Sequence, residues 1–487
     1  MLTDISIDTY VLTNGCNQNI NFIIMSIWNS NIKDRRLPLY QSIAVTIKDG
    51  IENGDLKPGD HLPPHRDLAD QIGVTVGTVA RGYNLAASWG LVSGEVGRGT
   101  VVSLPENGYG HVPLDLGKSY FDFGILKPTS TTNLALRKLA FEDTLIEIGQ
   151  RWKNKSFTGF PPEFGLIQYR KAGADWISRL GITADENEVL LTAGGQEAFH
   201  LLLMTLLNPG DPLLVEEFTH ISFKELGRFL NLKMIGIPMD DQGIMPNALQ
   251  NIAKQSKARV LFVTPTCNSP TTATMSLKRR EQIIDIAIKN NIFIIENGVF
   301  SNFVTDPPPP IAALCPDHAA YVTSLSFCAS PEIRVGYLKI LKKNIPRLKA
   351  AKRALAISHS MIAAEIATHW IRSSILQDLI QWQLKEIKFR FKIADEILSG
   401  QDFRYSPCGM FIWMDLPEPW RVSDFVKAAK ERNVIVMGSD RFVIGRGAAP
   451  HAVRISLTSN QKRELYVEGI KIIADLAKSS STLNPFI

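Results

Sequence analysis

From Phe121 onward the chain alternates short apolar runs with amphipathic stretches, and nothing else in the sequence constrains the fold as strongly. The runs at 189–192 (VLLT), 212–215 (PLLV), 260–263 (VLFV), 292–295 (IFII) and 320–322 (AYV) have strand length and lie between segments of helical spacing. That order predicts a largely parallel α/β sheet with helices on its faces. After residue 340 long helical patterns dominate, and a last α+β section carries FIWMDL, 411–416, as a strand. The chain contains no internal repeat.

Residues 37–103 follow a different pattern. The apolar spacing of 40–51 predicts one helix, ended by Asn53-Gly54 and Lys57-Pro58-Gly59. Pro63-Pro64 opens a short helix over 65–72, Gly73 closes it, and Thr75 is placed to cap the next, 76–89. Two short helices across a tight Gly-containing turn make a helix-turn-helix. Apolar runs at 91–93 and 100–102 then flank Gly-Glu-Val-Gly-Arg-Gly, a hairpin wing with Arg98 at its tip. Gly77 lets the second helix approach base edges, and Thr75 and Thr78 offer hydroxyls and N–H groups to phosphate. Residues 104–120, rich in Gly and Pro and without periodicity, read as a linker. Residues 1–36 form an N-terminal extension in which Met25 is an alternative start.

The chain sets 53 basic against 48 acidic residues, and a net charge of +5 over 487 residues says nothing about nucleic acid. Within 37–103 the balance is informative, because five Lys/Arg (Lys48, Lys57, Arg66, Arg81, Arg98) face seven Asp/Glu. Phosphate neutralisation dominates affinity for DNA, so one such module should bind weakly and two should act together on paired half-sites. Asp67 and Asp70 are the alternative partners of Arg66 and Arg81. Five scattered cysteines, without CxxC or a Cys/His cluster, fit a reducing cytoplasm and imply no metal site. No apolar run reaches the roughly 18 residues of a membrane span, and the N-terminus lacks the basic region and cleavage site of a signal peptide.

The module over 37–103 resembles the GntR-type winged helix, on LPPHRDLADQIGVTVGTVARGY and GEVGRGTVV. The resemblance implies a recognition helix in the major groove and a wing on the backbone or minor groove. The implied contacts are Arg66, Thr75, Gly77, Thr78, Arg81, Tyr83 and Arg98.

The region 121–480 is similar to fold type I aminotransferases, which use pyridoxal phosphate. The resemblance is carried in order by FDFG, GLIQYRKAGADWI, LLTAGGQEAFHLLL, NPGDPLLVEEFTH, TPTCNSPTTATMSLKRRE, IIENGVFSNF, YVTSLSFCASPEIRVGYL and HAVRISL. It implies a large lobe (121–340) with a mixed, mostly parallel sheet and a helical and α+β small lobe (341–480). A GntR module followed by such a domain resembles the MocR-type regulators.

The resemblance also implies what each position of the site should do. Gly194, Gly195 and Gln196, with Ser324, Ser326 and Arg334, match the phosphate cup. Gly194-Gly195 is equally the mark of a plain strand-to-helix turn. The lysine that would form the Schiff base is Phe327, which can form no imine. The carboxylate expected at the pyridine nitrogen is Asn297 or Gly298. Phe300 stands where a phenol should bond the ring hydroxyl, and Ser269 where an Asn should. His220 falls at the ring-stacking position, and Arg454 matches the arginine for the substrate carboxylate. All four positions that served the ring are replaced, while those for phosphate and carboxylate remain. Phe327 would then fill the vacated slot with apolar surface, and Lys339 would lie on the far side of the next strand.

The sequence therefore predicts a DNA-binding transcriptional regulator that acts as a homodimer and has an inactive aminotransferase-like domain. No cofactor is bound covalently. A small anion, pyridoxal phosphate itself or an amino acid would be the ligand. The alternatives are a working pyridoxal phosphate aminotransferase and a scaffold that binds no small molecule. A basic run, Lys339, Lys342, Lys343, Arg347, Lys349, Lys352 and Arg353, reads as a solvated helix face or a second DNA contact.

Overall fold

The structure is a computed structural model that describes residues 28, 37–57, 60–89, 91–95, 99–102, 120–129, 136, 138–153, 162–355, 359–405, 409–445, 448–458 and 462–479. The chain divides into two compact units, Met1–Glu106 and Asn107–Ile487. The expected linker lies outside the described residues except for Tyr120.

The first unit is a winged helix. Helices α1 (Leu39–Glu52), α2 (His65–Ile72) and α3 (Val76–Ser88) precede the antiparallel hairpin β1 (Val92–Glu95) and β2 (Gly99–Val102). Gly73 ends α2 in the left-handed conformation, φ +67°, and Thr75 caps α3 by accepting the Thr78 N–H. At Gly82 a Cβ would meet Ile43 Cγ2 at 2.7 Å, so only glycine lets α1 and α3 pack this closely. Ile43, Ile47, Leu68, Val79 and Ala86 form the core, and Trp28, from the N-terminal extension, is buried among them.

The second unit is built on a seven-stranded sheet. Its strands are β3 (Val189–Thr192), β4 (Pro212–Glu216), β5 (Lys233–Ile237), β6 (Val260–Val263), β7 (Phe293–Asn297), β8 (Ala319–Ser324) and β9 (Gly336–Lys339), in spatial order β3-β9-β8-β7-β6-β4-β5. Only β9 runs antiparallel to its neighbours. Four of these strands are buried along their whole length, which explains continuous apolar runs in place of alternation. Helices α4 (Gly195–Leu206), α5 (Ile221–Phe229) and α6 (Leu277–Lys289) follow strands β3, β4 and β6. Two apolar clusters contribute to the large lobe's core, one around Leu191, Leu261 and Ile294, the other around Leu190, Phe262 and Ile295.

After helix α7 (Ile345–Ala354), the long helix α8 (Ile375–Ile397) leads into an antiparallel sheet of β10 (Phe403–Tyr405), β11 (Phe411–Asp415), β12 (Met437–Gly438) and β13 (Ala452–Ser456), in order β10-β11-β13-β12. Helix α9 (Arg463–Lys478) closes the chain's described part. Glu386 on α8 accepts from both Arg390 and Arg463, and Arg390 donates to the Leu457 carbonyl, so one carboxylate ties α8 to the start of α9. The lobe boundary differs from the expected one. Phe121–Asp122 pairs in parallel with Val434–Ile435, and Phe123 is buried in the small-lobe core. Ring packing against Tyr466 holds it there.

Cys315 and Cys328 are free and buried. Of the basic run, Lys342, Lys343, Arg347, Lys349 and Arg353 are exposed, with Lys342 and Arg353 paired to Asp185 and Glu163 at the surface. Lys352 is fully buried on Glu197 and Lys339 is buried in β9, so these two are not part of that face. Among the described residues no helix is long and apolar enough to cross a membrane.

Candidate functional site

The winged helix presents Arg66, Thr75, Gly77 and Arg81 to solvent on α2 and α3 and in the turn between them, with Thr78 half-buried. The Thr75 and Thr78 hydroxyls lie 2.9 Å apart at the N-terminus of α3. Arg81 rests its guanidinium 5.3 Å from the centre of the Tyr40 ring, and among the described residues neither it nor Arg66 forms an ion pair with Asp67 or Asp70. Tyr83 corrects the sequence reading. It is 3% exposed, its hydroxyl donates to the Pro63 carbonyl at 2.9 Å, and it packs edge-on against His65, so it braces the two helices from inside and cannot reach DNA. Arg98 lies outside the described residues.

In the second unit a cavity of about 720 Å3 opens at the C-terminal ends of the parallel strands. It is lined by Gly195, Gln196, His220, Ser269, Asn297, Phe300, Ser324, Ser326, Phe327, Arg334 and Arg454 together. Residues spread over 260 positions of sequence thus meet because most lie at or just beyond the ends of the sheet's strands, with Arg454 coming from within β13.

One end is built for an anion. Helix α4 starts at Gly195 with no side-chain cap, so its first N–H groups remain open. Gly194 has φ +90°, and a Cβ there would meet Arg334 Nη2 at 2.9 Å. Arg334 lies over this turn and donates to the Ala193 carbonyl at 3.1 Å. Ser324 and Ser326 complete the rim, with the Ser326 N–H donating to Ser324 Oγ. The Gln196 side chain donates to the Ser222 carbonyl and ties α4 to α5, so only its backbone faces an anion. Glu197 supports the turn from behind. It accepts the Ala193 N–H at 2.5 Å and pairs at 3.0 Å with Lys352, which in turn donates to the Leu191 carbonyl at 2.6 Å.

The middle is aromatic. Phe327 stacks on Phe300 with centroids 5.1 Å apart and planes 28° from parallel, and Phe300 meets Phe411 edge-on. Asn297 donates to Thr264 Oγ1 at 3.3 Å and accepts the Val299 N–H at 3.4 Å, so its amide is used in holding the strand end. Gly298 makes room for Tyr321, whose ring carbon Cζ stands 2.1 Å from where a Cβ would be. His220 caps α5, accepting from Ser222, and burial with the Arg454 charge pushes it down to about 3. It is a neutral ring in this cavity.

The other end is Arg454, 3% exposed and lying over the rings of Phe442 and Phe411 at 4.9 and 5.7 Å. It donates to Ser269 Oγ at 2.9 Å and to the Gly124 carbonyl at 2.6 Å. Ser269 is therefore a ligand of Arg454 here. The Arg454 Nε has no partner among the described residues. Burial lowers the guanidinium to about 9, and Asp122 partly offsets this. Asp122 also accepts the Gly124 and Ile125 N–H groups, which shapes the segment that reaches the cavity.

Lys127, on that segment, lines the cavity. Lys127 sits in an unpatterned stretch, and no local signal marks it. Lys339 lies within β9 and does not line the cavity.

Pyridoxal phosphate fits this cavity at one end only. The cup suits its phosphate. The imine position is a stacked phenylalanine, and the ring-nitrogen position is an amide already bonded on both sides.

Residues 133–470 match the model for aminotransferase class I and II, and residues 39–102 match that for bacterial regulatory proteins of the gntR family. The HTH-type transcriptional regulator YdeF of Bacillus subtilis is 26% identical over 92% of this chain and 96% of its own. The HTH-type pyridoxine biosynthesis transcriptional regulator PdxR of Corynebacterium glutamicum is 28% identical over 60% of this chain and 64% of its own. The solved kynurenine aminotransferase of Pyrococcus horikoshii has a TM-score of 0.68 at 23% identity, covering 76% of this chain and 93% of its own. At that identity the likeness shows the fold.

Proposed function

Because the chain belongs to the aminotransferase class I and II family and carries a gntR-family module, the layout of a MocR-type transcriptional regulator, we propose that its second unit is a ligand-binding and pairing domain without transaminase activity. The observation that carries this is Phe327 stacked on Phe300 between two intact anion-binding ends. A cavity that keeps a helix N-terminus with Arg334 at one end and a buried Arg454 at the other can hold an anion. Without an amine at 327 and a carboxylate at 297 it lacks both the imine and the electron sink.

The homodimer places two winged helices on paired half-sites. The acidic balance of the module supports this, and so does a set of exposed apolar residues on the second unit. Leu145, Ile146, Ile167 and Ile362 lie on three helices, Thr144–Trp152, Ile167–Ser178 and Met361–Arg372, the last of which packs against both others. The protein works in the cytoplasm.

Two measurements test the proposal. Borohydride treatment after incubation with pyridoxal phosphate should leave no coenzyme on any cavity lysine; trapping on Lys127 would overturn the inactive reading. DNA binding by anisotropy should weaken steeply with salt, with a slope set by the phosphate contacts of two modules. Thr78→Ala and Arg81→Ala should each weaken it.

A further inference from the structure

The middle of the cavity is walled by aromatic rings and its polar groups each already hold a bond to protein, and we infer that it takes a phosphomonoester with an apolar aromatic body in preference to any pyridoxal phosphate. The inference rests on the reading of this cavity as an anion-binding ligand site and names its ligand class.

Three observations carry it. The anion end keeps its parts: the open N-terminus of α4, Ser324, Ser326 and Arg334 line the same cavity, and a Glu197–Lys352 pair holds the turn from behind. Arg454, 3% exposed and lining the same cavity, keeps Nε buried and unpartnered among the described residues. Between these ends the wall is Phe199, Phe223, Phe262, Val299, Phe300 and Phe327. The polar groups of this middle each hold at least one bond to protein: Asn297 with Thr264 and Val299, Ser269 with Arg454, and His220 Nδ1 with Ser222.

A benzene ring entering here exchanges water for aromatic faces and leaves nothing unsatisfied. A pyridine nitrogen and a ring hydroxyl would lose their water and meet only groups that already hold another bond. Groups paired this poorly weaken binding by about tenfold.

Calorimetry on the full chain tests this with three probes: benzyl phosphate, pyridoxine 5′-phosphate and inorganic phosphate. Pyridoxine phosphate carries the ring heteroatoms but no aldehyde, which keeps surface lysines out of the comparison. Benzyl phosphate should bind about tenfold tighter than pyridoxine phosphate, and tighter than inorganic phosphate. Equal or tighter binding of pyridoxine phosphate overturns the inference and leaves the ligand-site reading standing. Inorganic phosphate matching benzyl phosphate overturns it too, because the ring is then not recognised. Saturable binding by none of the three overturns both readings. The pair Asn297→Asp with Phe300→Tyr should move the preference toward pyridoxine phosphate by about tenfold; an unmoved preference would place the ring elsewhere and defeat the inference. Arg334→Gln should weaken both esters alike.

Discussion

Lys352→Met is the perturbation that most directly tests how the anion cup is held. Lys352 is fully buried, its ammonium 3.0 Å from Glu197 Oε1 and 2.6 Å from the Leu191 carbonyl. Burial lowers its affinity for the proton, and Glu197 and Glu163 oppose that shift. Removing the ammonium leaves Glu197 charged, with one oxygen on the Ala193 N–H and the other facing protein. Breaking a buried pair in this way costs about 3–5 kcal/mol. Denaturant unfolding followed by fluorescence reads the second unit, because Trp176, Trp370 and Trp413 are buried there. Glu197→Gln keeps an acceptor for Ala193 while removing the charge. The double variant should therefore be more stable than the sum of the two losses by about 2–3 kcal/mol. Losses that add to within about 0.5 kcal/mol would show that the pair is not coupled. A loss below about 1 kcal/mol for Lys352→Met would mean that water reaches the site, and the support argued for the cup would fail.

Further predictions concern other parts of the chain. Glu216 is buried, and burial raises it to about 8 against bonds from Thr264 and Asn268 that lower it. A carboxyl raised in the folded state binds its proton more tightly there, so its contribution is full below the unfolded value near 4.5 and is lost as pH rises toward 8. Glu216→Gln should flatten the pH dependence of the melting temperature between about 5 and 8, and an unchanged slope in that window would refute the assignment. Tyr83→Phe should lower stability by about 0.5–1.5 kcal/mol through loss of the Pro63 bond, with DNA affinity of the folded protein unchanged; a specific loss of affinity would restore it as a contact. Gly194→Ala should weaken phosphate binding, because φ +90° disfavours alanine and the Cβ meets Arg334; unaltered calorimetry would show that the turn is not the cup.

How much was legible follows the reach of each signal. The helices 65–72 and 76–89 could be read because Pro64, Gly73 and Thr75 act within a few residues of the ends they set, and the structure differs there by one residue. Strand-length apolar runs gave the sheet for the same reason. The antiparallel course of β9 could not be read from composition, since both sides of it are buried as in its parallel neighbours. In the site, identity at one position was readable and engagement was not. Tyr83 looked like a contact because its place in the motif was known, but its burial depends on Pro63, 20 residues away. Ser269 seemed a poor ring partner, when it serves Arg454 at a separation of 185 residues. Lys127 and the Glu197–Lys352 pair were missed because nothing local distinguishes them from surface residues.

Arg454 has a consequence for any carboxylate that enters. Its two terminal nitrogens already join a loop of the large lobe, through Ser269, to the segment that opens the small one, through Gly124. An arriving anion meets a charge already shared between two walls, with one N–H in use on each terminal nitrogen. Binding there is an exchange: what the ligand gains from the guanidinium is reduced by whatever the two loops give up. The same side chain that would recognise a ligand is thus the latch that the ligand must compete with.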